Sequence, residues 1–185
     1  MSVESGQMSA APADALFEAY HGRIFRYLAG MVQNTAEAED LTQETFLRAY
    51  ARRDSLRDPD AVRGWLYRIA THVCLDRLRQ RRTSVPLDEA SLSDLPTALE
   101  IAERAETSAC VQRCLDFLSD SYRAVLLLHE GEGLTAPEIA ELLQVSPGSV
   151  KIRLHRARRL LERVMQIGCT VSQSDGGLPC CAPKM

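Results

Sequence analysis

The sequence predicts an all-α fold: two small helical domains joined by a flexible acidic linker. Three observations predict it. Apolar residues recur at helical spacing along most of the 185 residues, and no strand pattern of useful length is present. Helix-start signals stand before the strongest runs, at Asn34 with Glu37, Thr135 with Glu138, and Ser146 with Pro147. Between the two sets of helices lies TSVPLDEASLSDLP, Thr83 to Pro96, with two prolines, serines and acids. The resulting organisation is a first domain over 14–82, a linker over 83–96, a second domain over 97–165 and a cysteine-containing tail over 166–185.

Met1 to Ala13 is small and polar and is expected to fray. A first helix runs from Asp14 to Val32, with Leu16, Phe17, Tyr20, Ile24, Phe25, Leu28 and Met31 at helical spacing. Asn34 and Glu37 open a second helix through Arg52. Its apolar side is Ala38, Leu41, Thr45, Phe46, Ala49 and Tyr50. Its other face shows Glu37, Glu39, Asp40, Gln43, Glu44 and Arg48, and acids early in a helix suit its dipole. Arg53 to Ala61 (RDSLRDPDA) reads as a loop broken by Pro59.

A third helix is expected from Val62 to Arg82. Trp65, Leu66, Ile69, Ala70, Val73, Leu75 and Leu78 form its apolar side. Arg63, Arg68, Arg77, Arg79, Arg81 and Arg82 make it basic, with Asp76 its only acid. Trp65, the only Trp, sits beside the loop with Tyr67 close behind, and aromatic rings beside Arg form a surface on which bases can stack. Taken alone, Trp65 reads better as a core anchor; the loop joined to a basic helix is what favours binding. The linker is expected to be extended and solvated, and Asp88, Glu89 and Asp94 could lie along a basic channel in place of nucleic acid. Helices resume near Thr97. Val111, Leu115, Leu118, Tyr122, Val125, Leu126 and Leu128 should pack them against the helices that begin at Leu134, with a break at Ser119-Asp120-Ser121 and a connection through Gly131 and Gly133.

The most informative stretch is Leu134 to Leu161, LTAPEIAELLQVSPGSVKIRLHRARRLL. Thr135 and Glu138 form a capping box before Ile139, Ala140, Leu142 and Leu143. Gln144-Val145 interrupts the pattern. Ser146 caps again, and Pro147 takes the first helical position, where its missing N–H costs nothing. Val150, Leu154, Ala157 and Leu161 make one stripe, and Lys151, Arg153, Arg156, Arg158 and Arg159 occupy other faces. This is a helix-turn-helix whose second helix can enter a major groove. The plainer alternative is a helical hairpin with a solvated basic face. Small Ala140 at the crossing and the lack of any acid from Lys151 to Arg159 favour nucleic acid.

Composition agrees. The formal net charge is -3, but basic residues concentrate in Arg63 to Arg82 and Lys151 to Arg163, and acids in Glu37 to Glu44 and Asp88 to Glu106. Local fields decide partners, so a near-zero mean does not exclude DNA. No stretch reaches the ~20 apolar residues of a membrane span, and the N-terminus lacks a basic segment before an apolar run, so a cytoplasmic protein with reduced thiols is expected. There is no Walker loop, GxGxxG, HExxH or GxSxG, and His21, His72, His129 and His155 are scattered, so no enzyme is expected.

With these motifs laid out, the chain resembles the extracytoplasmic function (group 4) sigma factors of bacterial RNA polymerase. EAEDLTQETFLRAY and GWLYRIATHVCLDRLRQRR resemble the family's region 2, and Leu134 to Leu161 its region 4. The resemblance covers about Leu16 to Val164 and implies a promoter-specificity subunit. It implies that Glu37, Asp40, Leu41, Gln43, Glu44, Phe46 and Leu47 dock on the β′ clamp helices, with the β flap as a second polymerase contact. It implies that the loop from Asp54 to Val62 captures an unstacked base of the −10 element, with Asp54, Ser55, Arg63 and Trp65 at the pocket and Arg68, Arg77 and Arg79 on phosphates. Ser149, Lys151, Arg153 and Arg156 would read the −35 element, with Arg158 and Arg159 on phosphates. Promoter DNA, core polymerase and an anti-sigma factor are the implied partners. The alternative is a stand-alone helix-turn-helix regulator with an N-terminal interaction bundle.

Three features depart from the family pattern. His72 stands where Asn is usual. Gln144 replaces the usual Gly of the turn, and Gln tolerates a left-handed conformation poorly. The tail from Gly168 to Met185 is an extension. It holds Cys169, Cys180 and Cys181, while Cys110 and Cys114 lie one helical turn apart and Cys74 reads as core. No cofactor is expected, and the plainer account is a disordered tail. Cys169, Cys180 and Cys181 are nevertheless the residues that could hold a thiophilic metal.

Overall fold

The computed structural model describes residues 13–56, 58–82, 114–173 and 179–183. The expectations for the N-terminal stretch up to residue 12, the linker, the helix resuming near Thr97, Cys110 and Val111 lie outside them. The chain divides into two compact units, Met1–Cys74 and Leu75–Met185.

The first unit is built on α1 (Ala13–Val32), α2 (Thr35–Ala51) and α3 (Val62–Arg82), whose last turns fall in the second unit. Gln33 ends the first helix with a left-handed φ of 59°, and Asn34 starts the next by accepting the Glu37 N–H at 3.0 Å. Ile24, Tyr27, Leu28, Met31, Ala38, Leu41, Ala49, Leu66, Tyr67, Ile69, Ala70, Val73 and Cys74 are buried. Buried Thr42 and Thr45 satisfy their hydroxyls on the carbonyls of Ala38 and Leu41, four residues back. Thr71 donates to the Tyr67 carbonyl at 2.7 Å. Its one proton is thereby used, so Tyr27 is the donor in the 2.8 Å bond between the Tyr27 and Thr71 hydroxyls.

Tyr67 corrects the sequence reading. Its ring is fully buried, edge-on to Tyr27 at 5.5 Å, and offers no stacking surface. Trp65, which alone read as a core anchor, is only half-buried. Position 65 lies one step from the centre of the stripe formed by Leu66, Ile69, Ala70 and Val73, so it falls at the edge of the buried face.

In the second unit residues 114–116 are helical, followed by α4 (Asp120–Leu126), a π-helical turn (Leu127–Gly131), α5 (Ala136–Leu143) and α6 (Pro147–Gly168). Ser119 caps α4, as its place in the break predicts. Leu115, Leu118, Leu126 and Ala157 form one cluster, flanked by Tyr122, Leu127, Leu160 and Leu161; Cys114 and Val164 form another with Phe117 and Met165. The sequence pattern did not reveal Arg123. It is only 8 % exposed, and its Nε and Nη2 donate to the carbonyls of Leu115 and Leu118 at 3.0 and 3.3 Å.

The tail differs from expectation. β1 (Cys169–Gln173) pairs antiparallel with β2 (Pro179–Pro183), in a register running from Cys169 opposite Pro183 to Gln173 opposite Pro179. In a two-stranded ribbon both strands are edges, so prolines in β2 are tolerated. β1 alternates only from Cys169 to Ser172, and β2, Pro-Cys-Cys-Ala-Pro, does not alternate at all, so periodicity gave too short a signal to reveal the pair.

Candidate functional site

The helix-turn-helix forms as its caps dictate. Thr135 accepts the Glu138 N–H at 3.5 Å, and the Glu138 carboxylate accepts the Thr135 N–H at 2.7 Å. Ser146 accepts the Ser149 N–H at 3.1 Å at the start of α6. Gln144 takes the left-handed conformation, φ 55° and ψ 45°, and the next N–H, of Val145, reaches back to the Ala140 carbonyl at 3.0 Å. Ala140 is buried at the crossing, as are Val150, Leu154 and Ala157 on the inner stripe of α6.

That stripe sets what faces outward. Lys151, Arg156 and Arg159 are exposed, while Ser149 and Arg153 are half-buried on one flank. Among the described residues, no carboxylate lies within ion-pair distance of Lys151, Arg153, Arg156 or Arg159. Ile152 was missed, although it is 54 % exposed. It lies two residues from both Val150 and Leu154, roughly 200° round the helix from the buried stripe, and that spacing is the signal that locates it. His155 is exposed on the same outer face.

Arg158 differs from its neighbours. Its Nε and Nη2 both donate to one carboxylate oxygen of Glu130, at 2.9 and 2.5 Å. Lys151 to Arg159 holds no acid, but the preceding π-helical turn supplies one. Exposed pairs of this kind contribute ~0–1 kcal/mol to stability.

The outer face of α2 carries Glu39, Asp40, Gln43, Glu44, Phe46, Leu47 and Tyr50. Leu47 is 71 % exposed and Tyr50 55 %. Phe46 meets Phe17 of α1 edge-on at 4.9 Å, and His21 lies tilted against Phe17 at 4.5 Å and roughly parallel to Phe46 at 6.2 Å. Arg48 pairs with Glu44 at 2.6 Å. Two expected docking residues are not on this surface: Glu37 is only 7 % exposed and Leu41 is fully buried. Tyr50, assigned to the apolar side, is outside. Positions 37, 41, 45 and 49 lie on the side of α2 that contacts the core, and that selection excludes both docking candidates and Tyr50.

Between α2 and α3 the chain makes two 3-10 turns, Arg53–Ser55 and Pro59–Ala61. Asp54 and Ser55 are exposed on the first, and Ser55 Oγ donates to the Arg52 carbonyl at 2.6 Å. The Arg53 guanidinium lies over the Tyr50 ring at 4.5 Å. Asp58 accepts the Asp60 N–H at 2.9 Å, an Asx turn that shapes the second half. Half-buried Arg63, Trp65 and Arg68 share the first two turns of α3. Arg77 and Arg79 lie roughly 20 Å further along the axis, where Arg79 bonds Asp76 at 3.1 Å. The structure thus separates the seven −10 candidates into a loop group and a distal pair. Exposed His72 holds the Arg68 carbonyl through Nδ1 at 2.7 Å.

Cys74 and Cys114 are buried thiols outside any disulfide. Among the described residues no three His, Cys, Asp or Glu side chains gather in a way that could hold a metal. The β1–β2 register places the backbones of Cys169, Cys180 and Cys181 in one ladder. No described helix is long and apolar enough to cross a membrane.

An acid-faced helix on one helical body and a basic helix-turn-helix on another define a DNA-directed protein with a second, protein-facing surface. Comparison with known proteins agrees. Residues 16–83 match Sigma-70 region 2, and residues 108–161 match Sigma-70, region 4. The ECF RNA polymerase sigma factor SigW of Bacillus subtilis (strain 168) is 32 % identical over 163 residues, covering 82 % of this chain and 87 % of SigW. SigM of Mycobacterium tuberculosis (strain H37Rv), also an ECF RNA polymerase sigma factor, is 35 % identical over 153 residues, covering 82 % and 76 %. Among solved structures, CnrH in complex with the cytosolic domain of CnrY superposes with a TM-score of 0.61 at 26 % identity, covering 83 % of this chain and 87 % of CnrH. The chain belongs to the ECF sigma factors of RNA polymerase. Promoter-directed transcription is the activity it serves.

Proposed function

We propose that this chain assigns its surfaces to three contacts. The exposed part of α2, with Asp40, Gln43, Glu44, Phe46 and Leu47, docks on the β′ clamp helices, where an acidic face with protruding apolar side chains suits a basic, partly apolar partner. Asp54, Ser55, Arg63 and Trp65 of the loop group receive an unstacked −10 base, and Arg68 with the distal pair Arg77 and Arg79 follows the phosphates. The outer face of α6 reads the −35 element through Ser149, Lys151, Arg153 and Arg156, joined by Ile152 as an apolar partner for a thymine methyl group. Arg159 holds phosphate. The second unit also meets the β flap.

The chain carries out no chemical step of its own and works in the cytoplasm. An anti-sigma factor holds it when inactive; the relative CnrH is itself found in complex with a second protein, the cytosolic domain of CnrY. No cofactor is needed for these contacts; Cys169, Cys180 and Cys181 are where a metal or an oxidant would act on the tail. If a variant with all three changed to Ser responds to metals and oxidants as wild type does, the tail has no such role.

The observation that carries the reading is the basic face of α6, where Lys151, Arg153, Arg156 and Arg159 have no carboxylate within ion-pair distance among the described residues, on a helix-turn-helix in the place of region 4. Run-off transcription with sigma-free core polymerase on a random promoter library tests it. Site-selective initiation is expected. Initiation no more selective than with core alone, in every metal and thiol state, overturns it.

A further inference from the structure

We propose that Glu130 is a charge gate on the DNA-binding face: it neutralises Arg158 and thereby lowers sequence-independent affinity for DNA. The inference rests on α6 being the DNA-facing helix.

The geometry is specific. Glu130 lies in the π-helical turn Leu127–Gly131, and one of its carboxylate oxygens takes two donors from Arg158 of α6. The two side chains are 54 % and 53 % exposed, so the pair stands in solvent and adds little to the fold. Arg158 is seven residues from Lys151, two turns along the same flank. Glu130 therefore sits at the edge of a surface whose other cations lack acidic partners among the described residues.

A carboxylate at the edge of a phosphate-binding surface opposes binding. Its effect falls on backbone attraction, which every sequence shares, and not on base contacts from the outer face of the helix. The consequence is a higher ratio of specific to non-specific binding, the quantity that matters among many competing sites. Each phosphate contact changes the salt slope by about 0.9, which at 0.1 M salt amounts to roughly eightfold in affinity relative to 1 M.

The test uses the full chain and a labelled random-sequence duplex, with anisotropy read over roughly 0.05–0.2 M salt. Glu130→Gln should bind about eightfold tighter at 0.1 M, with a slope steeper by about 0.9. Arg158→Gln should bind more weakly than wild type, because it leaves a lone carboxylate. The double variant should return to wild type. Unchanged binding by Glu130→Gln overturns the proposal. So does a double variant as weak as Arg158→Gln, which would mean that Arg158 already contacts phosphate. A Lys151→Gln/Arg156→Gln variant separates the two levels of inference. If it binds as wild type does, α6 is not the DNA face, and the assignment of α6 fails together with the gate. If it weakens while Glu130→Gln changes nothing, only the gate fails.

Discussion

Arg123→Met should destabilise the second unit selectively. The Arg123 guanidinium is buried and gives two bonds to carbonyls at the break before α4, 3.0 Å to Leu115 and 3.3 Å to Leu118. Met keeps most of the length and removes both donors. Hydrogen bonds from a charged group contribute about 1.5–3 kcal/mol each. The Leu115 carbonyl keeps the Leu118 N–H at 3.1 Å, so its loss is partial. A net loss of about 3 kcal/mol is expected, which for a domain of this size is roughly 10–20 °C in Tm. Two probes separate the units. Circular dichroism follows all the helices. Fluorescence of Trp65, the only tryptophan, follows the first unit. The helix signal should lose an early component while the Trp65 transition holds. Arg123→Lys, with a single donor group in place of the fork, should recover only part of the loss. A variant within ~0.5 kcal/mol of wild type refutes the reasoning, since that is the range of changes at unimportant surface positions.

Four further outcomes are expected. Gln144→Gly should stabilise the second unit by about 0.5–1 kcal/mol in urea unfolding, because Gly removes the left-handed penalty at φ 55° and the Gln side chain gives up little packing. Tyr27→Phe should destabilise the first unit by about 1 kcal/mol, seen in the Trp65 transition, through loss of the 2.8 Å bond to Thr71. Leu47→Lys should abolish co-elution with core polymerase while leaving Tm unchanged, since Leu47 is 71 % exposed. Ile152→Ser should relax selection at one −35 position in the promoter library by about 1 kcal/mol, the low end for one base contact.

Much of this fold is legible in the sequence because it is local. Asn34, Thr135 and Ser146 act on N–H groups three residues away, so each cap and the helix it starts can be read without knowing what lies opposite. The turn of the helix-turn-helix is equally local: Ser146-Pro147 opens a helix in any context, and Gln144 is the residue whose side chain conflicts with a left-handed backbone. The inner stripe of α6 follows from a period of 3.6, and so does the outward placement of Ile152.

Contacts between residues distant in the chain needed the tertiary structure. Glu130 and Arg158 are 28 positions apart, and the distance that joins them is set by how the π-helical turn packs beside α6. Which of the acids and apolar residues of α2 stay exposed depended on where the rest of its unit covers it; that burial took Glu37 and Leu41 off the exposed face and left Leu47 and Tyr50 outside. Tyr67 and Trp65 exchanged expected roles for the same reason, and buried Arg123 found its acceptors at a helix break. Hydrogen bonding within a few residues specifies which helices form. Burial depends on the whole packing arrangement, so the faces those helices present to polymerase and DNA were decided only when the chain folded.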